Sequence, residues 1–152
     1  MILGVISDTH GAVRPEALNA LQGVEHIVHA GDVGGIDVIE ALETIAPVTA
    51  VRGNTDGGSW SRQLQSTQIL TLADWLFYVL HDMATLDLDP AVAGINAVIS
   101  GHTHQASINH INGVLCFNPG SASQGRHGAP ASVGRIRITP AGLHPRIVPL
   151  MQ

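Results

Sequence analysis

Residues 2–11, Ile2-Leu3-Gly4-Val5-Ile6-Ser7-Asp8-Thr9-His10-Gly11, decide how the rest of the chain is read. A short apolar run ends abruptly in a polar loop that carries an aspartate and a histidine. Such a run, bounded by turn residues, predicts a buried strand. The unit then recurs. His26-Ile27-Val28-His29 breaks into Ala30-Gly31-Asp32-Val33-Gly34-Gly35, and Val48-Thr49-Ala50-Val51-Arg52 breaks into Gly53-Asn54-Thr55-Asp56-Gly57-Gly58. Between these strands, Pro15 in a first turn and leucines three apart predict a helix over 15–21. Ile36, Ile39, Leu42 and Ile45 predict a second over 36–46, with Pro47 beyond it. Strand, loop and helix in alternation argue a largely parallel sheet with helical crossovers. Ligands of such sheets bind outside the carboxyl ends of the strands, so the three loops should gather at one edge.

Further along, residues 69–72 and 75–80 read as strands bridged by Ala73-Asp74, the second ending in His81-Asp82-Met83. A short helix is expected over 86–93. A strand over 95–99 leads into Ser100-Gly101-His102-Thr103-His104. Asn112-Gly113, the preferred pair for a type I′ turn, predicts a hairpin over 108–117. Asn118-Pro119-Gly120-Ser121 forms a tight loop, residues 124–131 connect, and final strands fit 133–138 and 143–150.

Bulk properties narrow the function. The chain has 152 residues, 45% hydrophobic and only 12% charged, which suits one domain over 1–152 with its own core. Net charge is -5, there is no lysine, and the seven arginines are scattered except for Arg135 and Arg137. Stable nucleic-acid binding is therefore not expected. A single cysteine, Cys116, rules out an internal disulfide. No signal-peptide pattern and no membrane-length apolar run is present, so a cytoplasmic protein without membrane attachment is expected.

Five strand ends carry residues that can ligate metal: Asp8 with His10, Asp32, Asn54, His81, and His102 with His104. Each alone reads more readily as a turn, cap or surface residue. Jointly, two carboxylates, an amide and four imidazoles are too many for one ion and suit two ions sharing a ligand. Asp32, alone in its loop, is the natural bridge. Two divalent ions with two carboxylates keep net positive charge, which attracts a phosphoryl group. Ion pairs roughly 3.5–4 Å apart also stabilise both the attacking and leaving oxygens of an in-line displacement. Mixed nitrogen and oxygen donors favour manganese, iron, zinc, cobalt or nickel over calcium.

With these motifs in view, the chain resembles the calcineurin-like metallophosphoesterase superfamily. The resemblance rests on Asp8-Thr9-His10, Gly31-Asp32, Gly53-Asn54-Thr55-Asp56, His81 and Gly101-His102-Thr103-His104, in the family's order. Chain length and the Asn118-Pro119-Gly120-Ser121 loop make it similar to the small phosphodiesterase branch. The resemblance implies an α/β fold, a four-layer αββα sandwich of two facing mixed β-sheets flanked by helices. It implies one ion on Asp8, His10, Asp32 and His104, and another on Asp32, Asn54, His81 and His102. Asp32 and Asn54 would be the catalytic ligands, and manganese the usual metal, with nickel, zinc, iron, cobalt or magnesium as variants. The implied activity is phosphodiester hydrolysis by metal-bound hydroxide attacking phosphorus in a small phosphoester. A non-catalytic scaffold of this fold, like the retromer subunit, a phosphomonoesterase and a nuclease are the alternatives, and a homodimer is the general prior.

Two positions depart from the family pattern. Thr55 stands where many relatives have a histidine, leaving a hydrogen bond but no good proton donor. Asp82 replaces a common glycine, and would either add negative charge near the metals or point outward. Arg126 is a candidate phosphate contact, and His127 a candidate substitute for the missing histidine.

Overall fold

The computed structural model describes residues 1–150. Ten strands form two five-stranded sheets. In the first, β1 (Ile2–Ile6), β2 (His26–His29) and β3 (Val48–Ala50) run parallel, linked by α1 (Pro15–Ala20) and α2 (Ile36–Glu43). The sheet is completed by β9 (Ser132–Thr139) and β10 (Gly142–Pro149), both antiparallel to their neighbours, in the order β10-β9-β1-β2-β3. The second sheet contains β4 (Thr67–Leu72), β5 (Trp75–Leu80), β6 (Ala97–Ile99), β7 (Ser107–Ile111) and β8 (Val114–Asn118), ordered β4-β5-β6-β8-β7. Here β5, β6 and β8 are parallel and both edges antiparallel. The two facing mixed sheets are those the resemblance implied.

Alternation explains the layering. Leu3, Val5, Val28, Ile136 and Ile138 of one sheet meet Phe77, Val79, Ala97, Ile99, Leu115 and Phe117 of the other in a continuous buried cluster. The opposite faces of β1 and β2 present Ile6 and Ile27 to Ala17, Leu21, Val38 and Leu42 of the helices. On the far side, Tyr78, Leu80, Val98 and Val114 lie under Met83, Leu86 and Leu88.

That outermost layer corrects one expectation. No α-helix forms over 86–93: the segment is a 3₁₀ turn at Met83–Thr85 followed by bends and turns. Pro90 has no N–H to give and disfavours helical geometry at Asp89. The Asp89 carboxylate instead accepts from the N–H groups of Ala91 (3.1 Å) and Val92 (3.4 Å), closing a single turn. Smaller shifts are β3 ending at Ala50 and β6 starting at Ala97. Asn112 and Gly113 both take positive φ, as a type I′ hairpin requires, and so do Ala73 and Asp74 between β4 and β5. No helix among the described residues is long and apolar enough to cross a membrane.

Candidate metal centre

The strand-end loops gather at one edge of the sandwich and are stitched to one another. Beyond β1 and β2 the pairing continues through the loops: Asp8 N–H donates to the Gly31 carbonyl (3.0 Å), His10 N–H to Asp32 (3.0 Å) and Gly11 N–H to Val33 (2.9 Å). Gly101 N–H donates to the His81 carbonyl at 2.9 Å, joining the loops of the second sheet. The sheets meet where His102 N–H donates to Asp8 Oδ2 at 3.1 Å. That contact requires glycine next door, because a Cβ on Gly101 would lie 2.0 Å from Ser7 Oγ and 2.7 Å from Asp8 Oδ2.

Five of the seven candidate ligands have left-handed backbones: Asp8 (φ 55°), His10 (51°), Asp32 (55°), His102 (73°) and His104 (58°). For residues with a Cβ this conformation is uncommon and costs of order 1 kcal/mol or more, and it persists where surrounding structure over-determines it. The interloop hydrogen bonds supply that constraint, and the turned backbone directs the side chains inward.

Hydrogen-bond partners fix the proton on two rings. His81 Nδ1 faces the Ala30 carbonyl at 2.7 Å, and a carbonyl only accepts, so Nδ1 carries the proton. Its Nε2 lone pair then points at Asp32 Oδ2 (3.3 Å) and Asp8 Oδ1 (3.8 Å). His104 Nδ1 likewise donates to the Gln124 carbonyl at 3.1 Å. This aims its Nε2 lone pair at Asp8 Oδ1 (3.4 Å) and at His10 Nε2 (3.3 Å). Asp8 Oδ2 is satisfied by Ser7 Oγ at 2.6 Å and by His102 N–H. Asp8 Oδ1 and His81 Nε2 are buried with no hydrogen-bond partner.

Converging lone pairs and carboxylate oxygens, stripped of water, are costly unless a cation lies among them. The donors fit one. Asp8, His10 and His104 form one group, and Asp8, Asp32 and His81 another, each with donor atoms within 4.8 Å of one another. Asn54 Oδ1 lies 3.2 Å from His102 Nδ1, and the His102 ring meets His81 edge-on with centroids 5.1 Å apart. All seven sequence-derived ligands therefore come together, with Asp8, Asp32 and His81 as a buried floor and His10, Asn54 and His102 exposed at the rim. Asp8 is common to both three-residue groups, while Asp32 directs Oδ2 to His81 and accepts the Thr55 N–H on Oδ1 at 2.9 Å. Burial pushes the Asp32 carboxyl up, but the Thr55 hydrogen bonds with nearby His81 and His10 hold it below its ordinary value.

The remaining candidates lie around the rim. Thr55 is exposed beside Asn54. Arg126 is exposed, its N–H donating to the His104 carbonyl at 3.0 Å. Asp82 turns toward the site: Oδ2 is 3.8 Å from His102 Nε2, and Oδ1 accepts the Ala84 N–H at 3.0 Å. His127 is exposed, with φ 55°.

Several positioning groups lack any isolated signal in the sequence. The Asp56 carboxylate accepts from the N–H groups of Val33 (3.2 Å), Gly34 (3.0 Å) and Gly53 (2.9 Å), clamping the second loop to the third. Its place in Gly53-Asn54-Thr55-Asp56 was the only hint. Fully buried His29 accepts the Gly31 N–H on Nδ1 at 3.1 Å, so Nε2 carries the proton to Thr9 Oγ1 at 2.9 Å. Thr9 in turn donates to the Val33 carbonyl at 2.7 Å. Burial, reinforced by His81 and His10 against the opposing pull of Asp32, lowers the His29 pKa to about 3. Ser121 and Ser123 hydroxyls hold the Asp8 carbonyl at 3.0 and 2.9 Å.

Comparison with known proteins agrees with this geometry. Residues 1–140 match the calcineurin-like phosphoesterase superfamily domain. A probable metallophosphoesterase of Methanothermobacter thermautotrophicus is 34% identical, covering 97% of this chain and 92% of that protein. A phosphodiesterase of Methanocaldococcus jannaschii is 29% identical over 79% of this chain and 83% of its own. Among solved structures, zinc-complexed Vps29 of Entamoeba histolytica superposes with a TM-score of 0.76 at 20% identity, covering 99% and 100% of the two chains. At that identity the likeness concerns the fold alone. The chain belongs to the calcineurin-like phosphoesterase superfamily.

Proposed function

We propose that this protein is a dinuclear, divalent-metal-dependent phosphodiesterase acting on a small phosphoester. The observation that carries the reading is the unpartnered pair Asp8 Oδ1 and His81 Nε2, buried where three further donors converge. Asp8, His10, Asp32 and His104 would hold one ion, and Asp32, Asn54, His81 and His102 the other, with Asp32 shared between them. The family resemblance points to manganese first, with nickel, zinc, iron, cobalt or magnesium as variants, and the mixed nitrogen and oxygen donors do not choose among them. When bound, such ions supply positive charge to the phosphoryl oxygens and make hydroxide available near neutral pH.

The chain's own residues do the rest. The His81 and His104 rings are locked in the tautomer that presents Nε2 inward. Asn54 would hold the ion through its oxygen, leaving its amide N–H groups for a phosphoryl oxygen. Thr55 and Arg126, exposed on two sides of the rim, are the groups for orienting the ester. Hydrolysis forms a bond from water oxygen to phosphorus and breaks one ester P–O bond. With threonine at 55 and no imidazole there, the leaving oxygen takes its proton from solvent. Esters with acidic leaving groups should therefore be cleaved best. The name of the Methanocaldococcus relative supports diesters over monoesters. The expected setting is cytoplasmic, without stable nucleic-acid binding, as a homodimer or higher homo-oligomer.

The second reading is a non-catalytic binding scaffold of the same fold that retains the metal pocket. The two separate in one assay. Hydrolysis of bis(p-nitrophenyl) phosphate should need added manganese and disappear in Asp32→Ala and His104→Ala. Full activity in metal-stripped protein, or in both variants, would overturn the enzymatic reading.

A further inference from the structure

Far from the metal centre, the outer face of the β9–β10 ribbon gathers four basic side chains. Arg135 lies directly opposite Arg146, and Arg137 opposite His144. Directly opposed residues share a face, and so do residues two apart on one strand, so all four project the same way. The alternate residues Ile136 and Ile138 face the core. Together with Ile2 and Pro145 the four line a concavity of about 360 Å³. Arg137 pairs with Ile2 and Arg135 with Gly4, at the start of β1, whereas Asp8 lies beyond its other end. The four residues from Gly4 to Asp8 span about 13 Å.

Three features set this patch apart from a solvated basic surface. It collects three of the seven arginines in a chain of net charge -5. Among the described residues every ion pair involves a histidine of the metal centre, and no carboxylate lies within 4.0 Å of an arginine nitrogen. Glu25 reaches the same edge but accepts from Ile2 N–H. Like charges placed directly opposite on a ribbon are destabilising, so the Arg135–Arg146 pairing calls for a counter-charge. Finally, one guanidinium is fixed in advance. Arg135 Nη1 donates to the carbonyls of Ala20 (2.8 Å) and Gln22 (3.0 Å) at the end of α1, leaving its other N–H groups free. Burial, and then Arg146, lower its affinity for its proton, as expected of cations crowded without an anion.

We propose that Arg135, Arg137 and Arg146 form a second anion site, distinct from the metal centre, for the di- or triphosphate group of a soluble ligand. Guanidinium forks match phosphate oxygens two at a time. Facing positions lie about 5 Å apart and same-face positions about 6.7 Å apart along a strand, so a linear di- or triphosphate can give each guanidinium its own oxygens. Linked phosphates reach them together.

The test is calorimetric titration of inorganic tripolyphosphate into metal-stripped, desalted protein, so that the metal centre offers no cation. Wild type should bind with 1:1 stoichiometry. Arg137→Ala/Arg146→Ala should weaken binding by about tenfold or more. Both side chains are exposed, so the fold should hold, and diester hydrolysis by the metal-loaded variant should be unchanged. Asp32→Ala should bind tripolyphosphate like wild type. Absence of binding in wild type, or binding unaffected by the double arginine change, overturns the proposal. Co-sedimentation with phosphatidylinositol 4-phosphate vesicles without binding of the soluble probe also overturns it, in favour of a membrane surface.

Discussion

Nε2 of His81 stands 3.3 Å from Oδ2 of Asp32, and the ring's Nδ1 is committed to the Ala30 carbonyl at 2.7 Å. The facing nitrogen and carboxylate oxygen need positive charge between them, from a proton on the ring or from a bound cation. Saturating metal should therefore stabilise the folded state. With free manganese at about 100 times Kd, one site contributes about 2.7 kcal/mol, or roughly 5–10 °C in Tm for a chain this size. Differential scanning calorimetry of chelated and manganese-loaded protein measures this, and His81→Ala should lose most of the increment. An unchanged Tm would sink the metal reading.

Asp82 faces the ring nitrogen of His102 opposite the one beside Asn54. A carboxylate behind a ligating imidazole orients it and raises its basicity, and removing such partners costs 10–100-fold in metal affinity. Asp82→Asn should weaken one of two metal-binding steps by about tenfold and leave the other alone. Competition with a fluorescent chelator resolves the two steps, and equal weakening of both would contradict the geometry.

His29 makes stability depend on pH in a definite direction. Its folded pKa, about 3, lies below the ordinary 6.5, so below that value the unfolded chain binds a proton the folded protein refuses. Stability contributed by neutral His29 is fully present above about pH 6.5 and falls as pH drops toward 3, by up to about 1.4 kcal/mol per unit. Urea unfolding of metal-free protein between pH 7 and 5 should show this slope, and His29→Gln should lack that share of it.

Removing the Asp56 carboxylate strands three N–H groups, of which the Gly34 N–H is exposed and can turn to water. Asp56→Ala should cost about 2 kcal/mol in urea denaturation. It should also weaken metal binding, because the Asp32 and Asn54 loops lose their clamp. Intact metal affinity at reduced stability would show that the interloop ladder suffices alone.

The ligands could be read from the sequence because each sits in a short local pattern, an apolar strand followed by a glycine-bearing loop. The Asn112-Gly113 hairpin was legible for the same reason, since a two-residue turn is set by its own residues. The helix expected over 86–93 was not, because the local effect of Pro90 outweighed a loose apolar spacing. The roles of Asp56, His29 and Ser121 were hidden for another reason. Each acts on a loop distant in sequence, and a lone aspartate, histidine or serine carries no sign of which backbone groups it will meet. Asp8's place in both donor groups is likewise a matter of three-dimensional packing.

The left-handed turns at Asp8, His10, Asp32, His102 and His104 are held by backbone hydrogen bonds that need no ion. The ligand cage is thus part of the hydrogen-bonded fold, so a change in one loop's ladder should be felt at the ligands of the loop it pairs with.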